Sequence, residues 1–245
     1  MIEYLVFRLY GPMAAWGDIA VGEVRPTFMH PSKSAIMGLI AAALGIDRTD
    51  DEKHRALVEN YGFAVQVNSV GTPLTDYHTV QVPSSGTGRN RQIFTTRRDE
   101  ILSGPRQDLN TILSRRDYRM DASAIIVIWM KVPSFYTLTD FQKALCEPHY
   151  VLYLGRKSCP LSLPIQAQVV AADSVRDAIN VAKFSPLDLP HTDSPALFWE
   201  EGAVSGLKEQ NTFVRRDVTL SRKRWQFDVR NEHHSAISKE DNHVS

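Results

Sequence analysis

Two β-α-β passages in series, separated by a long arginine-rich insertion, predict an α+β fold for this 245-residue chain. Three observations carry the prediction. Ile2 to Tyr10 and Phe63 to Asn68 read as strands, and between them Ile36, Leu39, Ile40, Ala43 and Leu44 repeat at helical spacing. Ala124 to Met130 is a continuous apolar run, short enough for a central strand. A helix at Phe141 to Cys146 and strand candidates at Tyr150 to Leu154 and Ile165 to Ala171 follow it. In this order the elements make a ferredoxin-like antiparallel sheet with helices on one face, an arrangement that many RNA-binding modules use.

The first passage is punctuated by Gly11, Pro12, Gly17 and Pro26 before Ser32 opens the first helix as its N-cap. Gly45 closes that helix, and the acidic cluster Asp47 to Glu52 starts a second helix that runs to about Tyr61. Thr139 is the expected cap of the helix at Phe141, and Pro148 stops it. Beyond Ser174, a short helix is expected at Val175 to Val181 and a loop at Phe184 to Pro195. Phe213 to Leu220 and Trp225 to Val229 are expected to pair as a hairpin, with Arg215, Arg216, Arg222, Lys223 and Arg224 in and around it. The chain thus divides into a main body over 1–171, with the insertion at about 81–121, a small C-terminal β portion over 172–230 and a polar tail over 231–245. That tail, with His233, His234 and His243, is expected to be disordered.

Composition narrows the class. A hydrophobic content of 43% supports a substantial core. No apolar run approaches the roughly 20 residues of a membrane helix, and Met1 to Tyr4 lacks the basic start of a signal peptide. Cys146 and Cys159 read as reduced thiols without a second pair at zinc spacing. A soluble cytoplasmic protein without metal or cofactor is expected. Net charge is zero, but its distribution is uneven. Between Arg89 and Arg119 lie eight arginines, four acids and no lysine, a local charge of +4. The guanidinium fork suits phosphate oxygens and stacks on bases, so this insertion is the strongest sequence signal for RNA.

Glycine-rich phosphate loops, paired-aspartate sites and nucleophile elbows are absent from the sequence. Four smaller features each admit two readings. The helix mouth at Lys33 and Ser34 offers amides and positive charge to a phosphate, or is a plain cap. His30 and His78, with Lys33 close by in sequence, suit a metal-independent ribonuclease, or are ordinary hydrogen-bonding histidines. Trp16 is a stacking platform or a core filler. Arg156 and Lys157 straddle a phosphate or form a solvated pair.

Five motifs, taken together and in order, resemble the CasD (Cas-five) family of CRISPR-associated proteins. They are Gly11-Pro12-Met13 to Trp16-Gly17, Arg25-Pro26-Thr27, Pro31 to Gly38-Leu39, Asp76-Tyr77-His78-Thr79-Val80, and Tyr153-Leu154-Gly155-Arg156-Lys157-Ser158-Cys159-Pro160-Leu161. The likeness spans about residues 2 to 170, and the last motif resembles the type I-E branch. It implies a non-catalytic subunit of the Cascade surveillance complex that holds the 5′ handle of the CRISPR RNA. It further implies a ferredoxin-like (RRM-like) palm with a β-hairpin thumb at the insertion. The implied neighbours are the backbone (Cas-seven-type) subunit and the large (Cas-eight-type) subunit, with target DNA contacted only indirectly.

Carried onto this sequence, the resemblance places Arg97, Arg98, Arg115, Arg116, Tyr118 and Arg119 on the thumb, with Arg116 at the handle–guide junction. Arg25, Lys33 and Ser34 would face the handle backbone, with Trp16, His78, Arg156 and Lys157 nearby. The stretch from Val82 to Arg106 departs from the family pattern, and residues after Val229 have no counterpart in it. A related type I-C branch cuts precursor RNA itself, so a metal-independent endoribonuclease is the alternative. A free RRM-like module is a third reading, disfavoured because no RNP aromatic signature is present.

Overall fold

The computed structural model describes residues 1–83, 94–103, 109–185, 189–192 and 194–237. The first part contains β1 (Ile2–Tyr10), β2 (Met13–Ala14), β3 (Val24–Arg25), α1 (Lys33–Ala43), α2 (Asp51–Asn60) and β4 (Tyr61–Ser69). Next come β5 (Thr72–Pro83), α3 (Arg97–Leu102), β6 (Leu109–Met120), β7 (Ser123–Met130) and α4 (Leu138–Cys146). The chain closes with β8 (Gln168–Ala172), α5 (Val175–Val181), β9 (Ala196–Glu200), β10 (Asn211–Ser221) and β11 (Gln226–Ala236). It is an α+β protein built on antiparallel sheets.

The larger sheet has seven strands in the order β10-β11-β9-β4-β7-β1-β8, every neighbouring pair antiparallel. Its centre explains the unbroken apolar run of β7. Alternate side chains point to opposite faces, and both faces are covered. Leu5, Phe7 and Leu9 of β1 pack with Ile36 and Ile40 of α1, Leu57 of α2 and Phe141 of α4. Tyr4 and Val6 point the other way, against Val175, Ala178 and Ile179 of α5. The expectation of helices on one face is therefore corrected: α5 covers the second face.

Ser32 caps α1 as expected, accepting from the Ala35 amide at 3.1 Å, and Gly45 follows it at φ +73°. The cap of α4 is Thr137 rather than Thr139, in a capping box with Asp140. Tyr150 to Leu154 is not a strand. Among the described residues its ladder contact is a single bridge from Tyr153 to Pro160, because Gly155 turns the chain back on itself.

The largest corrections lie at the C-terminal end. β9 pairs with β4 and β11 pairs with β9, so residues 172–230 extend the main sheet instead of forming a separate portion. Asn231 to Ala236, expected to be disordered, is the second half of β11. Its polar residues look tail-like in sequence because their partners sit on other strands. Residues 238–245, with His243, lie outside the described residues.

The insertion opens with a long ladder. β5 and β6 pair antiparallel from Thr72↔Met120 to Pro83↔Leu109, each strand twelve residues long. At strand rise this spans roughly 40 Å. β2 and β3 join β6 on its other edge, β3 in parallel register, in a second sheet. Arg97 and Arg98 lie on α3, whereas Arg89, Arg91 and Arg106 lie outside the described residues. Among the described residues no helix is long and apolar enough to cross a membrane.

The turn at Gly155 locks the two sheets' connecting segments together. The Ala15 amide donates to the Leu154 carbonyl at 3.0 Å, and the Leu154 amide donates to the Cys159 carbonyl at 2.8 Å. Gly155 sits at φ +86°, and a Cβ there would lie 1.8 Å from the Ala15 carbonyl oxygen. Gly155→Ala is therefore expected to destabilise the fold by about 2–4 kcal/mol through strain and steric conflict. Thermal unfolding followed by circular dichroism checks this; an unchanged midpoint would show that the backbone approach is not tight.

Candidate nucleic-acid interface

Where the two sheets meet, the segments around β3, the start of α1, residues 151–156 and the β10–β11 turn enclose a groove of about 410 Å³. Among the described residues Arg25, Arg156 and Arg222 line it, with Asp18 as the one carboxylate. The local excess of two positive charges contrasts with a chain of zero net charge. Such a groove favours an anion.

Arg156 is held in place by three contacts. Its guanidinium lies 4.7 Å from the Tyr118 ring centre and donates to the Asp117 carbonyl at 3.1 Å and the Arg25 carbonyl at 2.9 Å. Two of its partners are on β6 and one is on β3, so this residue of the Gly155 turn clamps the second sheet. Tyr118 is thereby buried and serves as a support, not as an exposed stacking surface. Arg25 is exposed and donates to the Gly22 and Val24 carbonyls at 2.6 and 3.0 Å.

The parallel β3–β6 register sets Arg25 beside Arg116, and the β5–β6 register sets Asp76 opposite Arg116. Strand alternation puts Arg116 on the face of Tyr118 and Arg156. Among the described residues the Arg116 side chain has no hydrogen bond or ion pair, and the same holds for Arg98 and Lys157. Arg115 pairs with Asp117 at 3.2 Å. Arg97 pairs with Glu100 and donates to the Gln81 carbonyl at 2.6 Å. Arg119 keeps one buried nitrogen, Nε, without a partner among the described residues. His78, part-exposed on β5, bonds to Asp76.

Two of three expected site residues at the start of this groove are buried, and Ser34 stays at its wall. Trp16 is only 7% exposed and belongs to the main core, touching the groove at its wall. Lys33 is 2% exposed and reaches Glu200 at 2.6 Å, so it does not face a ligand. Burial pushes its ammonium down to about 8, with Glu200 pulling the other way. Ser34 turns its hydroxyl to Ser32 at 3.0 Å and its carbonyl accepts from Arg222.

His30 is 1% exposed and sits in the same buried network. The Arg215 guanidinium, which can only donate, lies 2.9 Å from the ring, and Nε2 lies 3.3 Å from Glu232 Oε2; a neutral ring accepts from the first on one nitrogen and donates to the second from the other. Burial also pushes its pKa down. The ring stacks on Phe198 at 4.1 Å. A base that is sealed in this way is not open to RNA, so of the two readings of His30 the burial favours the hydrogen-bonding one. Among the described residues no group of histidine, cysteine and carboxylate side chains could hold a metal ion.

The sequence reading passed over Arg222, Trp225 and Phe227 as groove residues. A signal was present: Arg222-Lys223-Arg224-Trp225 puts three cations and a tryptophan in one turn between two strands.

Residues 4–232 match the family described as CRISPR-associated protein (Cas_Cas5), and the chain belongs to that family. It is 34% identical over 179 residues to the CRISPR system Cascade subunit CasD of Escherichia coli (strain K12), covering 67% of this chain and 70% of the relative. A chain of a CRISPR RNA-guided surveillance complex superposes with a TM-score of 0.65 at 25% identity, over 95% of this chain and 89% of that one. The crystal structure of a Cas protein shares the fold with a TM-score of 0.63 at 21% identity, over 97% of this chain and 96% of that chain.

Two expectations follow from the inward-facing charges. Lys33→Met is expected to destabilise the protein by about 3–5 kcal/mol, because it strips a buried carboxylate of its nearest cation. Chemical denaturation checks it, and a loss of RNA affinity at unchanged stability would restore Lys33 to the interface. Burial pushes the Glu232 carboxyl up, but His30, Arg215 and Arg230 outweigh it and hold the group at about 2. A folded value below the ordinary 4.5 means that the stabilisation is present above about pH 4.5 and lost as pH falls toward 2. Denaturation midpoints across that window should fall steeply for the parent and less steeply for Glu232→Gln; parallel curves would contradict the assignment.

Proposed function

We propose that this chain is the non-catalytic subunit of a Cascade surveillance complex that holds the 5′ handle of the CRISPR RNA. The observation that carries the reading is the convergence of Arg25, Arg116 and Arg156 on one face beside the groove, with the Arg116 side chain unpaired among the described residues. Phosphate contacts of this kind position RNA without reading its sequence, and a groove beside them admits splayed bases. The family relationship to a Cascade subunit supports the same reading.

The adjacent strands β8, β1, β7 and β4, with α1, α2 and α4 on the crossovers, support the reading of this part as a ferredoxin-like palm. The β5–β6 ladder is the thumb, and its exposed outer half packs over the guide beside a backbone subunit. The large subunit meets the palm. The paired guide reads the target, so this protein needs no base-specific contact with DNA. Catalysis belongs to a separate nuclease, in keeping with the burial of His30.

Arg116→Ala is expected to weaken handle retention by about 1–3 kcal/mol, the scale of a charge-assisted contact. Quantifying RNA recovered with the assembled complex tests it, and full retention would remove Arg116 from the interface. The broader reading is tested with the purified protein and labelled precursor repeat RNA in EDTA on a denaturing gel. Intact RNA, retained only when backbone partners are added, is expected. A discrete product that disappears in His78→Ala would make the protein the processing endoribonuclease instead.

A further inference from the structure

The β10–β11 turn carries a feature that phosphate binding by Arg25, Arg116 and Arg156 does not use. Trp225 stands at φ +57°, in a left-handed conformation that bulky side chains rarely adopt. It is 58% exposed and lines the groove. Two cations flank it, with the Arg48 guanidinium 4.9 Å and the Arg222 guanidinium 5.7 Å from the ring centre. Phe227 meets the indole edge-on at 5.5 Å.

The turn is held from below. Asp51 accepts from the Ser221 hydroxyl at 2.9 Å and from the Arg222 amide at 3.0 Å, which ties the turn to the start of α2. Arg222 donates to the Ser34 carbonyl and lies where Gly38 has no side chain; a Cβ on Gly38 would come within 2.8 Å of it. Asp51 therefore spends its oxygens on the backbone and a hydroxyl. Among the described residues neither Arg48 nor Arg222 has an ion pair with a carboxylate. Arg222 Nε is buried without a partner among the described residues. The burial of Arg222 and its repulsion from Arg48 both disfavour its charge, and a bound anion would relieve both.

The result is a fixed, exposed aromatic surface flanked by unneutralised guanidiniums, in a groove of about 410 Å³. That volume lies within the range of about 300–1,000 Å³ typical of small-ligand sites. Aromatic faces accept bases of any sequence, and guanidiniums hold the adjoining phosphate. We propose that this groove takes one unpaired nucleotide of the RNA handle, its base stacked on Trp225 and its phosphate held by Arg222. The inference rests on the handle-binding reading and adds to it a nucleotide subsite on the C-terminal hairpin.

The test uses the complex assembled around guide RNA carrying 2-aminopurine at each handle position in turn. One position is expected to be quenched in the parent and to brighten at least about twofold in Trp225→Ala, with retention of the guide about 5- to 150-fold weaker. Trp225→Phe, which keeps a ring, is expected to fall between the two. Arg222→Gln should lower the salt dependence of retention by about one unit of slope. Absence of any quenched position in the parent overturns the proposal without reference to variants. Quenching that persists unchanged in Trp225→Ala overturns it too, while guide retention in that complex leaves the handle-binding reading standing. Failure of the parent complex to retain guide rejects the handle-binding reading itself, and the subsite with it.

Discussion

A buried network of charges at the junction of α1 with β9, β10 and β11 decides how this chain closes. Lys33 bonds to Glu200, and the Lys33 amide donates to Asp217 at 2.8 Å. Arg230 bridges Asp217 and Glu232 at 2.7 and 2.5 Å, and Arg215 joins Glu232 at 3.1 Å. His30 completes the cluster as a neutral ring. Taking charges out of water is costly, and such a cluster is favourable only when each member keeps its partners. Glu200 and Glu232 lie directly opposite in the β9–β11 register, a pairing that would repel if their cations were absent. The network therefore favours one arrangement of the C-terminal strands against α1 over any shifted one.

The groove is a consequence of that closure. Once β10 and β11 are docked, the turn between them stands over the start of α1, with Arg222 on the Ser34 carbonyl and Trp225 at the rim. The opposite wall is set by the Gly155 turn, whose Arg156 spans β3 and β6. Residues far apart in the chain thus line one site. The basic character of the groove is local, created by folding a neutral chain so that Arg25, Arg156 and Arg222 gather around it with Asp18.

Charged side chains near one another in sequence acquired opposite roles. Lys33 and Arg25 are both basic residues of the same connecting region, yet one is sealed in the core and the other is exposed. On β6, Arg115 is paired with Asp117, while Arg116, one residue on, turns to the other face. Burial and pairing, which depend on distant strands, separate a structural cation from one available to a ligand.

By itself the sequence determined the strand-helix-strand order, the Ser32 cap, the central apolar strand β7, the α5 helix and the C-terminal hairpin. These follow from local periodicity, capping chemistry and turn residues, which act over a few neighbours. The family was legible for a related reason: its motifs are short runs such as Gly155-Arg156-Lys157, whose spacing survives without knowledge of the fold. Tertiary structure alone decided that Asn231 to Ala236 is a strand, that His30 and Lys33 are buried, and that Trp225 stands beside Arg222 and Arg48. Each of these depends on partners more than a hundred residues away or on the pairing of β9 with β4 and β11. Strand pairing and desolvation are long-range, and a linear pattern carries no record of which distant charge will meet which.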